Sequence, residues 1–205
     1  MNHLKLCCIS LTLMIVTSFN SYSQGVDNVQ EPGFPGGFSA FSQYISKNLK
    51  YPDVAAIIGL TGKVYVNFSV DEDGNVADVK PTKCLGAGCE SEAIRIISMS
   101  PKWSPGILNG KNVKVKFTIA VNFAPNDPPK PTELSKLRNS KYGFVFYIKG
   151  NIYTVDEAEG LIGKSFDPAS IETVENYDNP KYAIPDKKGV YLIVIKNSQV
   201  PDYNL

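Results

Sequence analysis

The sequence predicts an α+β protein, in which a small antiparallel sheet of about three strands packs with helices and a second small α+β unit follows. Three observations lead to this fold class. Apolar and polar residues alternate over residues 63–70 and 112–123, as they do in half-buried strands. Residues 38–49 and 90–99 repeat apolar side chains at helical spacing. Residues 125–131 are rich in proline, which predicts a break between two units.

Composition limits the classes of partner. The chain has 205 residues, and 43% of them are hydrophobic, which is enough to bury a core. Its 21 basic and 20 acidic residues leave a net charge of +1. This balance creates no overall basic field for nucleic acid or an anionic membrane, so we expect no nucleic-acid partner.

The N-terminal residues 1–23 have the layout of a cleavable secretory signal. Their apolar run, over residues 6–19, is too short for a comfortable membrane span, and small residues precede Gln24. We therefore predict cleavage before Gln24 and a periplasmic location. Cys7 and Cys8 leave a lipoprotein as an alternative, and an uncleaved segment would leave the chain membrane-anchored in the periplasm.

The remaining cysteines are Cys84 and Cys89, separated by a glycine-rich loop. In an oxidising compartment this spacing predicts a disulfide, with two free thiols as the alternative. The chain beyond the signal has no histidine, which excludes Ser-His and Cys-His catalysis. No carboxylate pair or metal-ligand cluster stands out, so we predict no enzymatic activity, cofactor or metal.

The first unit opens with helices. Residues 38–49 predict an amphipathic helix with Ser39 or Ser42 as its cap. Pro52 suits the start of a second short helix over residues 53–58.

A hairpin and a third helix come next. Residues 63–70 predict a strand, the turn over residues 71–75 contains Gly74, and the return strand over residues 76–83 contains Pro81, which favours an edge position. In the helix over residues 90–99, Ala93, Ile94 and Ile97 are expected to be buried. Trp103 is expected in the core.

The last strand of this unit carries the clearest pattern. Asn109-Gly110 predicts a tight turn before it. Over residues 112–123 the apolar residues face one way and the polar residues the other. Twelve residues span about 40 Å, longer than either earlier strand. We therefore expect part of this strand to lack a partner within its own sheet.

The second unit has weaker signals. Residues 142–149 and 190–196 predict strands, residues 156–161 a short helix, and Asp167-Pro168 a helix start. The predicted organisation is a signal over residues 1–23, a linker over 24–37, a first unit over 38–124, a Pro-rich linker over 125–133 and a second unit over 134–205.

Several motifs of the first unit share one family pattern. They are Tyr51-Pro52, Gly59-Leu60-Thr61-Gly62, Asp71-Glu72-Asp73-Gly74, Glu92-Ala93-Ile94-Arg95, Pro101-Lys102-Trp103 and Asn109-Gly110-Lys111. In this pattern residues 38–124 resemble the C-terminal domain of TonB, a periplasmic protein that links inner-membrane energy to outer-membrane receptors. The resemblance implies strand addition, in which the N-terminal peptide segment of a TonB-dependent outer-membrane receptor docks along the last strand. The contact residues it implies are Lys50, Tyr51, Val113, Lys114, Val115, Lys116, Phe117, Thr118 and Ile119.

The second unit has a resemblance of its own, carried by residues 146–150, 166–174 and 189–193. This part of the chain, residues 142–197, resembles part of the plug domain of TonB-dependent receptors, although Lys149 stands where that family usually has aspartate. The resemblance implies a plug-like α+β module that could bind a TonB-like partner.

Two functional hypotheses follow. The first is a periplasmic TonB-like protein associated with energy-coupled transport, and the alternative is a soluble periplasmic adapter or decoy without energy transduction. The spacer before the first unit is short and the anchor is predicted to be removed, which favours the alternative. A homodimer is also possible, since the halves could pair or exchange strands between chains.

Overall fold

The computed structural model describes residues 28–124 and 130–196, and it is α+β, as the sequence predicts. The signal, with Cys7 and Cys8, and residues 125–129 lie outside the described residues. Within the described ranges, no helix has the length and apolar character needed to span a membrane. The α-helices are α1 (Gly37–Asn48), α2 (Asp53–Ile58), α3 (Cys89–Ser98), α4 (Leu134–Arg138) and α5 (Val155–Ile162). The strands are β1 (Val29–Gln30), β2 (Gly62–Val70), β3 (Val76–Lys83), β4 (Gly106–Leu108), β5 (Lys111–Val113), β6 (Val115–Phe123), β7 (Thr132–Glu133), β8 (Gly143–Ile148), β9 (Asn151–Thr154), β10 (Ser165–Phe166), β11 (Ile171–Asn176) and β12 (Val190–Ile195).

The first sheet has the order β3-β2-β6 and is antiparallel. The central strand, β2, pairs with β6 without interruption, from Gly62 opposite Phe123 to Val70 opposite Val115. The predicted alternation in β2 is confirmed, since its first apolar residues are buried and the polar residues between them are exposed. Along its other side, β6 has no neighbouring strand among the described residues.

The opposite edge of this sheet is β3, which pairs irregularly. Register shifts interrupt its pairing with β2 between Tyr65 and Val66 and between Asn67 and Ser69. Pro81 lies in this edge strand, as predicted, and has no N–H to offer a further strand. The β3 edge is therefore poorly suited to strand addition.

The turn between β2 and β3 is fixed to the core. The Asp71 carboxylate accepts hydrogen bonds from the backbone N–H groups of Asp73, at 3.0 Å, and Asn75, at 2.7 Å. Gly74 has a φ of 83°. A Cβ at this position would lie 2.0 Å from the carbonyl oxygen of Trp103, so only glycine fits.

An aromatic cluster fills the space between this sheet and α1. The ring centroid of Trp103 lies 5.4 Å from those of Phe41 and Phe68 and 5.6 Å from that of Phe34. Trp103 is buried, as predicted.

Helix α3 packs on the same sheet, and its buried residues differ slightly from those predicted. Ala93 and Ile97 are buried as expected, but Ile94 is only half-buried and Ile96 is buried in its place. The helix begins at Cys89, so Cys89, Ala93 and Ile96 form one face at intervals of four and three residues.

The strand predicted over residues 112–123 is divided at Lys114 into β5 and β6. β5 pairs with β4 in a separate sheet, through the predicted tight turn, in which Asn109 and Gly110 have φ of 51° and 78°. β6 and β2 both have 9 residues, so no end of β6 extends past its partner. The expected overhang is therefore wrong, and the unpaired groups lie along the whole outer side of β6.

Two expectations for the segment before α1 are also wrong. Residues 29–33 are not a plain linker, because β1 pairs with β4 and Gly33 exchanges backbone hydrogen bonds of 3.1 and 2.8 Å with Ser104. The N-cap of α1 is Gly36 in the left-handed conformation, without a side-chain cap from Ser39 or Ser42.

The predicted disulfide is not supported, and Cys84 and Cys89 are free thiols in the structure. Cys84 is exposed beyond the end of β3, whereas Cys89 is fully buried at the start of α3. Burial, and secondarily the Glu90 carboxylate, raises the pKa of the Cys89 thiol to about 12. A protonated, enclosed thiol is a poor nucleophile for disulfide formation.

The second half contains a mixed sheet of order β11-β12-β8-β9, in which β12 runs parallel to β8. The predicted strands are confirmed as β8 and β12. α5 begins with a capping box made by Thr154 and Glu157, and the Asp167 side chain caps the 3₁₀ turn Pro168–Ser170. Residues 132–133, predicted as linker, form β7, which pairs with β10.

The two halves pack against each other. The Thr132 hydroxyl donates a hydrogen bond of 3.0 Å to the carbonyl oxygen of Ile58, and the Ala87 N–H donates one of 3.2 Å to that of Val174. Lys141 forms an ion pair with Asp53. In the first half these contacts involve α2 and the loop before α3, and none of them involves β6. The division into separate domains stays a prediction.

Candidate strand-addition site

The outer side of β6 borders a groove between this strand and α1. The groove has a volume of about 750 Å³. The α1 wall includes Phe38, Phe41, Ile45 and Leu49, and the β6 wall includes Thr118, Ile119, Ala120 and Asn122. The groove therefore places an unpaired strand edge beside an apolar helix face.

Helix α1 is held in position by its buried side. Phe41 is buried against Phe34, with 5.2 Å between ring centroids. The Tyr44 hydroxyl donates a hydrogen bond of 3.0 Å to the carbonyl oxygen of Ile96, which ties α1 to α3. Phe38, one helical turn before Phe41, is 82% exposed at the mouth of the groove. An aromatic ring this exposed is available to a partner.

Tyr51 closes one end of the groove. Its hydroxyl donates a hydrogen bond to the carbonyl oxygen of Leu60, and its ring meets that of Phe123 edge-on at 6.0 Å. Burial, and then the nearby Cys89, raises the pKa of Tyr51 to about 12. Tyr51 is thus a neutral and fixed part of the wall.

The loop between α1 and α2 is fixed by Glu92 on α3. Its carboxylate accepts hydrogen bonds of 2.6 Å from the Lys50 backbone N–H and from the Arg95 guanidinium. Arg95 also donates a hydrogen bond of 2.8 Å to the carbonyl oxygen of Asn48. The Arg95 hydrogen bonds lower the pKa of Glu92, while burial opposes this shift. This ionic cluster sets where α1 ends and Tyr51 begins.

The charges beside the groove have one sign. Helix α1 and strand β6 contain Lys47 and Lys116 and no acidic residue, and Lys50 follows α1. The groove therefore offers apolar walls with a basic rim, which favours neutral or acidic segments over basic ones.

The structure brings together some of the nine predicted contact residues. Tyr51, Thr118 and Ile119 line the groove. Val115, Lys116 and Phe117 lie further along β6, and Lys50 follows α1 at the other end. Val113 and Lys114 do not belong to the edge: Val113 pairs with Gly106 in another sheet, and Lys114 forms an ion pair of 2.7 Å with Asp78. The binding role of all nine residues stays a prediction.

Sequence reasoning missed the α1 side of the groove. Phe38, Ile45 and Leu49 were recognised as one helical face, but the sequence does not reveal that part of this face borders β6. Ala120, Asn122 and Ala124 were missed because the family pattern pointed to the first part of the strand. Within the described residues, no three His, Cys, Asp or Glu side chains lie close enough together to hold a metal ion.

A family comparison covers the β6 side of this groove. Residues 47–125 match the family model of the Gram-negative bacterial TonB protein C-terminal domain. The resemblance predicted from the sequence is therefore confirmed over residues 47–125, called here the TonB-like domain, which includes β6 but only the last two residues of α1.

Other comparisons add less. The chain is similar to the Helicobacter pylori TonB C-terminal domain, whose NMR solution structure is known, with 24% sequence identity and a TM-score of 0.34. The alignment covers 42% of the present chain and 78% of the Helicobacter pylori chain. No curated protein matches the chain. The plug-like resemblance of residues 142–197 receives no support from these comparisons, and the TonB-like match ends at residue 125.

Proposed function

We propose that the TonB-like domain captures an extended segment of another protein by strand addition to the outer side of β6. The observation that carries this proposal is the open edge itself, since β2 occupies one side of β6 and no described strand occupies the other. The N–H and C=O groups of such an edge can pair with an extended peptide.

The groove supplies the second half of the recognition. Alternate side chains of an added strand would enter the groove beside Phe38, Ile45 and Ile119, while the others would face solvent. Each backbone hydrogen bond contributes about 0.5–1.5 kcal/mol net, so a short segment gains specificity mainly from the apolar side chains that it buries.

The partner we propose is the N-terminal segment of a TonB-dependent outer-membrane receptor, in the periplasm. TonB C-terminal domains interact with such receptors, and the family match supports the same class of partner here. The function is therefore binding, in association with energy-coupled transport, rather than catalysis. Energy transduction itself requires a retained membrane anchor. Mass spectrometry of the exported protein tests this, because a chain that begins at Gln24 would be a soluble adapter.

Phe38→Ser tests the groove. Phe38 is 82% exposed, so its removal should leave stability unchanged while weakening binding of a receptor segment about five- to tenfold, through lost apolar burial. Isothermal titration calorimetry measures the affinity, and amide chemical shifts of Thr118, Ile119 and Ala120 locate the peptide. Val29→Ser, at an exposed site away from the groove, is the control. A peptide that leaves these β6 amides unperturbed would rule the proposal out.

A further inference from the structure

The solvent face of the first sheet carries a cluster of lysines, of which only Lys116 is also a predicted contact of strand addition. Residues directly opposite in an antiparallel pair share a face. Tyr65 lies opposite Lys83, Asn67 lies opposite Lys80, and Ser69 lies opposite Lys116. Lys63 belongs to the same face, two residues before Tyr65. We name this surface the basic face, defined by Lys63, Tyr65, Asn67, Lys80, Lys83, Lys116 and Thr118.

The positive charge of the basic face is largely uncompensated. Among the described residues, none of its four lysines forms an ion pair. The acidic residue within this sheet face, Asp78, is already engaged by Lys114 at 2.7 Å and by the Ser69 hydroxyl at 2.8 Å. The acidic turn between β2 and β3 lies at the end of the hairpin, on the side of Lys114.

This charge separation is local, because the whole chain has a net charge of only +1. Like charges gathered on one sheet face repel each other and oppose folding. An anionic partner would remove that cost, so the surface is electrostatically complementary to a polyanion.

The basic face also has shape and hydrogen-bonding groups. A depression of about 490 Å³ lies between Lys80 and Lys116, with Asn67 and Thr118 among its lining. The Thr118 hydroxyl donates a hydrogen bond of 2.7 Å to the Asn67 side-chain oxygen. Within the described part of the chain, the Asn67 side-chain N–H groups have no partner, and they can donate to a ligand.

Tyr65 adds an aromatic surface in the middle of the lysines. It is 38% exposed, and it lies on the strand itself rather than on a projecting loop. It can therefore lie against a ring of a ligand, but it cannot insert into a lipid layer. A single aromatic residue is also less than the series of stacking rings that single-stranded nucleic acids use.

We propose that the basic face binds an anionic polysaccharide. The lysine ammonium groups contact its carboxylates, Asn67 and Thr118 hydrogen-bond its hydroxyls, and the Tyr65 ring packs against a sugar ring. The basic face shares Lys116 and Thr118 with the predicted contacts of strand addition, whereas Lys63, Tyr65, Asn67, Lys80 and Lys83 lie on β2 and β3, away from the open edge.

The test uses the full chain and polygalacturonate, a polymer of uronic acid, with its neutral methyl ester as the matched ligand. We expect salt-sensitive binding of the acid form and no binding of the ester. The variant K63Q/K80Q/K83Q, which leaves the residues shared with strand addition unchanged, should weaken binding about tenfold or more. K130Q/K164Q/K188Q, which removes three exposed lysines elsewhere, should retain it. Circular dichroism confirms that each variant is folded.

Tyr65→Ala separates a saccharide site from general charge attraction. It should weaken polygalacturonate binding about fivefold, since the ring contact is lost, without changing binding of poly-aspartate. Equal affinity for poly-aspartate, single-stranded DNA or phosphatidylglycerol vesicles, with no effect of Tyr65→Ala, would overturn the saccharide assignment. Equal binding of the methyl ester would overturn the role of the lysines.

Discussion

Gly74 holds the β2–β3 turn against the core through its own backbone hydrogen bonds. Its N–H donates a hydrogen bond of 3.0 Å to the carbonyl of Asp71, and its own carbonyl accepts one of 2.8 Å from the Trp103 N–H. The left-handed backbone and the contact with the Trp103 carbonyl both require the absence of a Cβ.

Gly74→Ala should therefore destabilise the protein by about 3 kcal/mol or more, because a left-handed penalty adds to a steric clash with backbone. Gly110→Ala is the matched control: Gly110 has a φ of 78°, but a Cβ there would meet nothing within 4 Å. It should cost only about 1–2 kcal/mol. Urea unfolding measures both, and equal losses would contradict the role of the Trp103 contact.

Glu92 makes stability depend on pH. Its pKa is lowered from 4.5 in the folded protein, first by the hydrogen bonds from Arg95. A carboxylate whose folded pKa lies below its unfolded pKa stabilises the fold above the unfolded value, and this contribution is lost as pH falls through the folded value.

Glu92→Gln should lower the free energy of unfolding by about 1–3 kcal/mol at neutral pH, and this difference should shrink as pH falls below about 4. Urea unfolding across this pH range measures the effect. Glu172→Gln, at an exposed site on β11, should change stability by less than about 0.5 kcal/mol throughout. A difference between Glu92→Gln and the native protein that persists unchanged in acid would count against the ionic cluster.

At the scale of elements, the sequence predicted best where local signals decide. Residues 53–58 are helical, as expected, because Pro52 suits the start and Gly59 the end of α2. The alternation that predicted β2 and β6 also identified their buried faces. These features depend on neighbours in the sequence, so no knowledge of tertiary pairing was needed.

Elements that depend on distant partners were not predicted. The break at Lys114 arises because β5 pairs with β4, and β1 is a strand because β4 accepts it. The shift from Ile94 to Ile96 depends on how α3 lies on the sheet. For the same reason only the β6 side of the candidate groove was predicted. The alternation of β6 is visible in the sequence, whereas the position of α1 beside β6 depends on tertiary packing.

At the scale of the whole molecule, one hydrophobic core contains buried residues from both halves of the chain. The buried cluster includes Phe123 and Val64 from the first half and Leu134 and Phe144 from the second. Buried Thr132 lies at this junction and bonds to the end of α2. Packing of this kind couples the unfolding of both halves.

Thr132→Val should therefore shift unfolding of both halves together. It leaves the Ile58 carbonyl without that hydrogen bond, at a cost of about 1–2 kcal/mol. Fluorescence of Trp103, the single tryptophan, follows the first half, and the methyl NMR signals of Ile193 follow the second. Exposed Ser135→Ala is the control. Separate midpoints for the two probes would show that the halves unfold independently.

The two borders of the first sheet are unequal, and this limits how the molecule can polymerise. The border formed by β3, which contains a proline and pairs in an irregular register, is poorly able to bind another strand. The border formed by β6 can bind one. A sheet can grow without limit by adding copies of the protein only if each added copy presents another strand edge that can pair. If two copies paired through β6, the outer strands of the joined sheet would both be β3. Because β3 cannot readily bind a further strand, assembly through this sheet would stop at a dimer.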